Sequence, residues 1–114
     1  MFDVAKAMEF YREFLGFTVE WSARFTPESP LYTQLSHGLA TIHLSEHYGD
    51  ASPGAHVRIE TADLAAYHAT LLAKQYRFAR PDLVTQEWGE QTMTIADPFG
   101  NRITFYERLE PAPP

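Results

Sequence analysis

The order of structural signals along the chain runs through twice, and a duplicated order within 114 residues leaves few folds open. In the first half, Val4, Ala7, Met8, Tyr11, Phe14 and Leu15 recur at helical spacing, with Asp3 placed to cap the helix and Gly16 to end it in a left-handed conformation. Residues 17–25 then alternate, which predicts a half-buried strand with Phe17, Val19 and Trp21 on one face and Thr18, Glu20 and Ser22 on the other. Pro27 and Pro30 flank a loop, and residues 31–37 and 39–45 form two more strands turned at Gly38. In the second half, residues 56–60 alternate as a strand. Leu64, Tyr67, His68, Leu71 and Leu72 follow as a helical stripe capped by Thr61 or Asp63. Residues 83–88, 90–96 and 102–107 close the chain as three strands.

This order predicts an α+β fold of two βαβββ modules, forming one curled mixed sheet around a cleft with the helices outside. The length suits a single domain: module one spans 1–46, a joint rich in Gly, Pro, Asp and Ser spans 47–54, and module two spans 55–110. Only Met1 to Asp3 precede the first helix, whereas a strand usually needs about five residues. The opening strand of module one is therefore short or missing. Either the chain starts late, or a neighbouring subunit covers the edge left open.

Composition narrows the function. Hydrophobic residues make up 45% and charged residues 21%, which is globular and far from disorder. The absence of Cys rules out disulfides and thiolate zinc sites. A net charge of −6 argues against nucleic acid, favours a cationic ligand and also serves solubility. No apolar run reaches the length of a membrane span, and no basic start leads into an apolar stretch, so a soluble, cytoplasmic protein is expected. The glycines are too scattered for a phosphate loop, and no serine nucleophile elbow occurs. Glu46, Glu60, Glu87 and Glu90 show no spacing that singles out an acid-base pair, and they suit a cation-attracting rim equally well.

Strand parity separates core from cleft. The apolar set is Ile42, Leu44, Val57, Ile59, Met93, Ile95, Ile103 and Phe105. The opposite set is polar: Thr41, His43, Ser45, His56, Arg58, Glu60, Thr92, Thr94, Thr104 and Tyr106. These residues line a cleft if the sheet curls, and face water if one side of it is simply solvated. Parity leaves both open.

The repeated βαβββ order, the phrase Glu9-Phe10-Tyr11-Arg12-Glu13-Phe14-Leu15-Gly16-Phe17 and the turn Asp97-Pro98-Phe99-Gly100-Asn101 resemble the vicinal-oxygen-chelate superfamily over nearly the whole chain. That superfamily includes glyoxalase I, extradiol dioxygenases, fosfomycin-resistance transferases and bleomycin-resistance proteins. The turn has its own physical logic, since Pro98 fixes one φ, Gly100 permits a positive one, and Asp97 and Asn101 can bond the turn's amides.

The pair Trp88-Gly89 and the Gly100-Asn101 turn with its aromatic strand look most like the bleomycin-resistance branch. That resemblance implies a non-catalytic homodimer that sequesters a bulky cationic glycopeptide in clefts between subunits, conferring resistance. Trp88 matches the tryptophan at the drug cleft of that branch and would stack on a planar heteroaromatic or a cation. Phe25, Tyr32 and Tyr106 would be further aromatic contacts, Glu87 and Glu90 the negative charge, and His43, His56, Arg58, Glu60 and Thr104 the polar lining.

Enzymes of the superfamily hold a divalent ion with a residue of the opening strand, a His on the strand opening module two, and a Glu on the last strand. His56, seven residues before Asp63, stands in the second place, while the third, seven residues after Asp97, is Thr104. A neutral hydroxyl is a poor substitute for a carboxylate ligand, and a catalytic site typically needs about three protein ligands. No metal, cofactor or catalytic residue is therefore expected. The alternative is a metal-dependent lyase, isomerase, transferase or dioxygenase with relocated ligands, to which His43 and Glu60 would contribute, and Glu107, sharing the parity of Phe105, only if its strand bulges.

Overall fold

The computed structural model describes residues 3–24, 26–46 and 54–109. It is an α+β chain with one three-stranded and one four-stranded sheet. The chain divides into two compact units, one of residues 1–55 with 98–101, the other of residues 56–97 with 102–114. No helix among the described residues is long and apolar enough to cross a membrane.

The first unit opens with α1 (Val4–Met8), whose free amides are met by the Asp3 carboxylate, which accepts the Lys6 N–H at 3.1 Å. The helix then widens into a π-helical stretch, Glu9–Phe14, and the Leu15 N–H donates to the Phe10 carbonyl five residues back at 2.9 Å. Gly16, at φ 81°, releases the chain. Phe10, Tyr11, Phe14, Leu15 and Phe17 are all buried, each worth roughly 1.5–3 kcal/mol of apolar transfer for a side chain of this kind. Tyr11 meets Phe17 edge-on at 5.9 Å, and Phe17 stacks on His37 at 5.0 Å.

Three antiparallel strands follow, β1 (Thr18–Ala23), β2 (Tyr32–His37) and β3 (Ala40–Ser45), in the order β1-β2-β3. The expected strand over 17–25 is thus shorter, and its alternation breaks. Val19 pairs with Leu35 but Trp21 pairs with Gln34, so Glu20 is an extra residue, a β-bulge. The bulge flips Trp21 away from Val19, correcting the expectation that the two share a face. Ser22 takes the inner place instead and bonds the buried Thr33 hydroxyl at 2.9 Å. Ile42 and Leu44, expected in the core, are only half-buried.

The second unit is built from β4 (His56–Glu60), α2 (Leu64–Ala73), β5 (Val84–Thr85), β6 (Glu90–Ala96) and β7 (Arg102–Arg108). The sheet order is β4-β7-β6-β5, with β4 parallel to β7 and the other pairs antiparallel. Ile59, Leu64, Leu71, Met93, Ile95, Ile103 and Phe105 form its core, and Tyr67 of α2 packs edge-on against Phe105 at 5.2 Å. Burial there pushes the Tyr67 hydroxyl well above its ordinary pKa. Val57, assigned to the core by parity, is 43% exposed.

Two local expectations fail here. Neither Thr61 nor Asp63 caps α2: the Thr61 hydroxyl donates to the Ile59 carbonyl, and Asp63 sits at φ 53° without a capping bond. The cap comes from β7, where the Glu107 carboxylate accepts the amides of Asp63 at 2.7 Å and Leu64 at 3.1 Å. The strand expected over 83–88 shrinks to two residues because the chain turns at once from Gln86 to Glu90, with Gly89 at φ 85°. Gly100, at φ 83°, supplies the positive φ that the turn before β7 requires.

Candidate functional site

Trp88 sits at the tip of the turn between β5 and β6 and is 68% exposed. Its position is fixed by backbone bonds on both sides: the Gln86 N–H donates to the Glu90 carbonyl at 2.7 Å, and the Leu109 N–H to the Gly89 carbonyl at 2.9 Å. The indole N–H donates to Oε1 of Glu90 at 2.7 Å, so the ring is oriented while its π-face stays available.

The same Glu90 oxygen accepts from Nη2 of Arg58 at 2.6 Å, and the Arg58 guanidinium lies 4.2 Å over the Tyr106 ring. Trp88, Glu90, Arg58 and Tyr106 thus form one chain of contacts on the polar face of the sheet. The Trp88 bond, together with the Arg58 bond and charge, holds the Glu90 carboxyl below its ordinary pKa. Glu90, one of the two carboxylates expected to supply negative charge, is paired with Arg58. Glu87 and Glu60 remain exposed, and among the described residues neither makes a side-chain bond.

Further along this face Nε2 of His56 stands 2.7 Å from the Thr104 hydroxyl, which lies 2.8 Å from that of Thr94. Thr104 and Thr92, expected to line a cleft openly, are each only 7% exposed. Their neighbours cover them: His56 and Thr94 flank Thr104, and Gln86 donates to the Thr92 hydroxyl at 2.9 Å. The resemblance drawn from the sequence implies metal ligands at His56 and Thr104 in the enzymes it covers, and an imidazole bonded to a neutral hydroxyl does not fit a divalent ion. Among the described residues no three His, Asp or Glu side chains are grouped to hold a metal. Glu107 faces the helix side, where it caps α2.

In the first unit, Tyr32 and His43 are brought together. The Tyr32 hydroxyl donates to Nδ1 of His43 at 2.6 Å, and Nε2 of His43 donates to Oε1 of Gln34 at 2.9 Å, an amide oxygen that can only accept. Trp21, placed on the face of Phe17 and Val19 by simple alternation, joins them through the bulge, its ring stacked on Tyr32 with centroids 5.9 Å apart. No residue type marks a bulge of this kind, so alternation alone misses Trp21. Phe25 and His47 lie outside the described residues. His68 bonds the Pro81 carbonyl at 2.9 Å and secures the loop after α2. A cavity of about 430 Å³ near the end of α2, lined by Leu71, Leu72, Gln75, Tyr76, Ala79 and Arg80, contains none of the expected site residues.

Comparison with known proteins bears on the family and the fold. A family model described as glyoxalase superfamily protein matches residues 1–112. No curated protein matches by sequence. Among solved structures, a glyoxalase-related enzyme from Clostridium phytofermentans is 21% identical with a TM-score of 0.73, covering 95% of this chain and 88% of its own. An antibiotic-binding protein from Streptomyces sp. CB03234 is 22% identical with a TM-score of 0.70, over 93% and 87%. A bleomycin-binding protein complexed with bleomycin is 19% identical with a TM-score of 0.69, over 95% and 92%. These likenesses are of fold.

Proposed function

The chain belongs to the glyoxalase superfamily, and from that premise we propose that it binds and sequesters a bleomycin-type cationic antibiotic or related small molecule without transforming it. The observation that carries this reading is Trp88, 68% exposed yet held in place by its bond to Glu90. An indole presented in this way costs apolar burial and is suited to stack on a planar or cationic group. Tyr106 and Arg58 extend the surface, with His56, Thr104 and Glu60 beside them and Glu87 adding charge. Tyr32 and His43 of the first unit are assigned to ligand binding as well.

The fold is shared with a protein complexed with bleomycin and with another that binds an antibiotic, which supports the drug class, as does the net charge of −6. Within this reading the protein acts in the cytoplasm as a homodimer and confers resistance by holding the drug. Calorimetric titration with copper-free and copper-loaded bleomycin tests it: saturable heat is expected, and none at micromolar protein would overturn it. Light scattering tests the dimer, which a stable monomer at high concentration contradicts. Metal analysis of protein purified without chelator separates this reading from a metal-dependent enzyme, since a stoichiometric divalent ion would favour the enzyme.

A further inference from the structure

We propose that the polar face of the three-stranded sheet is a binding subsite for a planar, uncharged conjugated ring that carries a carbonyl. Trp21 and Tyr32 take the ring, and the Gln34 amide takes the carbonyl oxygen. The inference rests on the small-molecule-binding reading above, though not on the drug being cationic.

The bulge is the first ground. In regular register Trp21 would join Val19 and Leu35 on the inner face; the extra residue Glu20 places it opposite Gln34 instead. Gln34 in turn pairs with His43, so Trp21, Gln34 and His43 form one row across all three strands. Tyr32, one step along β2 on the same face, stacks on Trp21 at 18° between planes. His43 closes the corner edge-on, 5.7 Å from Trp21 and 5.1 Å from Tyr32. Trp21 nevertheless stays 43% exposed, so the corner leaves indole surface to a further ring.

Hydrogen-bond direction supplies the second ground. Oε1 of Gln34 accepts a hydrogen bond from Nε2–H of His43, and Nδ1 of His43 accepts one from the Tyr32 hydroxyl. The amide nitrogen of Gln34 then ends the chain, with its two N–H groups bonded to no other described residue. The row therefore offers donors, and a ligand must bring an acceptor. Charge is the third ground. No charged side chain belongs to the row, and Glu20, the nearest carboxylate along β1, is bonded by the Ser36 hydroxyl. Nothing in the row offsets the desolvation of an ionised ligand, so an uncharged ring is preferred.

The chain has two tryptophans, so Trp88→Phe leaves Trp21 as the only indole reporter. Fluorescence titration of that protein with 9-fluorenone, a planar tricyclic ketone, is expected to give saturable quenching. Fluorene, the same ring system without the carbonyl, should bind about fivefold more weakly, the worth of one net hydrogen bond. Gln34→Ala should reduce fluorenone to the level of fluorene and leave fluorene unchanged. Equal affinity for the two compounds overturns the proposal, as does unsaturable quenching or undiminished calorimetric binding of fluorenone to a folded Trp21→Ala protein. The ketone and hydrocarbon comparison needs no change within the subsite, so it decides even where a subsite variant does not fold. With bleomycin titrated against the unmodified protein, fluorenone binding without bleomycin binding removes the cationic-drug reading and keeps the subsite; bleomycin binding without fluorenone binding does the reverse.

Discussion

Nε2 of His56 and the hydroxyl of Thr104 stand 2.7 Å apart, so the two positions at which the superfamily resemblance implies metal ligands are joined to each other by a hydrogen bond. Thr104 also meets Thr94 at 2.8 Å, and one buried hydroxyl thus links β4, β6 and β7. Thr104→Val keeps the shape and removes both bonds. It should lower the unfolding free energy by roughly 1 kcal/mol, read by urea denaturation. Retained stability with an unchanged NMR environment of the His56 ring would contradict the role assigned here.

Glu107 caps a helix from another element, which makes α2 depend on β7. Glu107→Ala leaves the amides of Asp63 and Leu64 without their acceptor and should cost about 1–2 kcal/mol. Glu107→Gln keeps an acceptor oxygen and should cost less. Urea melts of the two variants, followed by far-ultraviolet circular dichroism, compare them.

Burial against Phe17 lowers the pKa of His37 below its ordinary value. The fold therefore favours neutral imidazole, and the unfolded chain takes up a proton first as pH falls. This contribution is fully present above the ordinary imidazole pKa and declines below it, so Tm should drop between about pH 7.5 and 5.5. His37→Phe preserves ring contact with Phe17 and removes the titrating group. Thermal melts at the two pH values should show a smaller decrease for the variant.

For ligand binding, Trp88 and Glu87 carry separable roles. Trp88→Ala should weaken bleomycin about tenfold or more, because the stacking surface is lost. Glu87→Gln should weaken it only about twofold, with less salt dependence, since the charge is exposed and screened. Calorimetry at two salt concentrations measures both, and a larger effect from Glu87 than from Trp88 would invert the assignment.

Much of the fold was legible because it is written in periodicities and turn residues. The Asp3 cap, the Gly16 stop, the Gly38 and Gly100 turns and the inner faces of β6 and β7 follow from such local signals. The helix-facing side of Glu107 followed from counting by twos along β7. Where counting fails at Trp21, long-range pairing is the cause. Glu20 looks like any solvated strand residue, yet partner register makes it a bulge and turns Trp21 over. Glu107 lies 44 residues from Asp63, beyond any capping rule that reads neighbours. Glu90 reads as free charge until the sheet brings Arg58 to it.

The π-helical stretch at Glu9–Phe14 has a consequence for change in the gene. A turn closed on the fifth residue rather than the fourth holds one residue more than an α-helix would need. Loss of one codon within it would return the helix to ordinary geometry. In β2, where Leu35 faces inward and Gln34 outward, the same loss would exchange the two faces. Single-residue deletions should therefore be borne far more easily in the helix than in the neighbouring sheet.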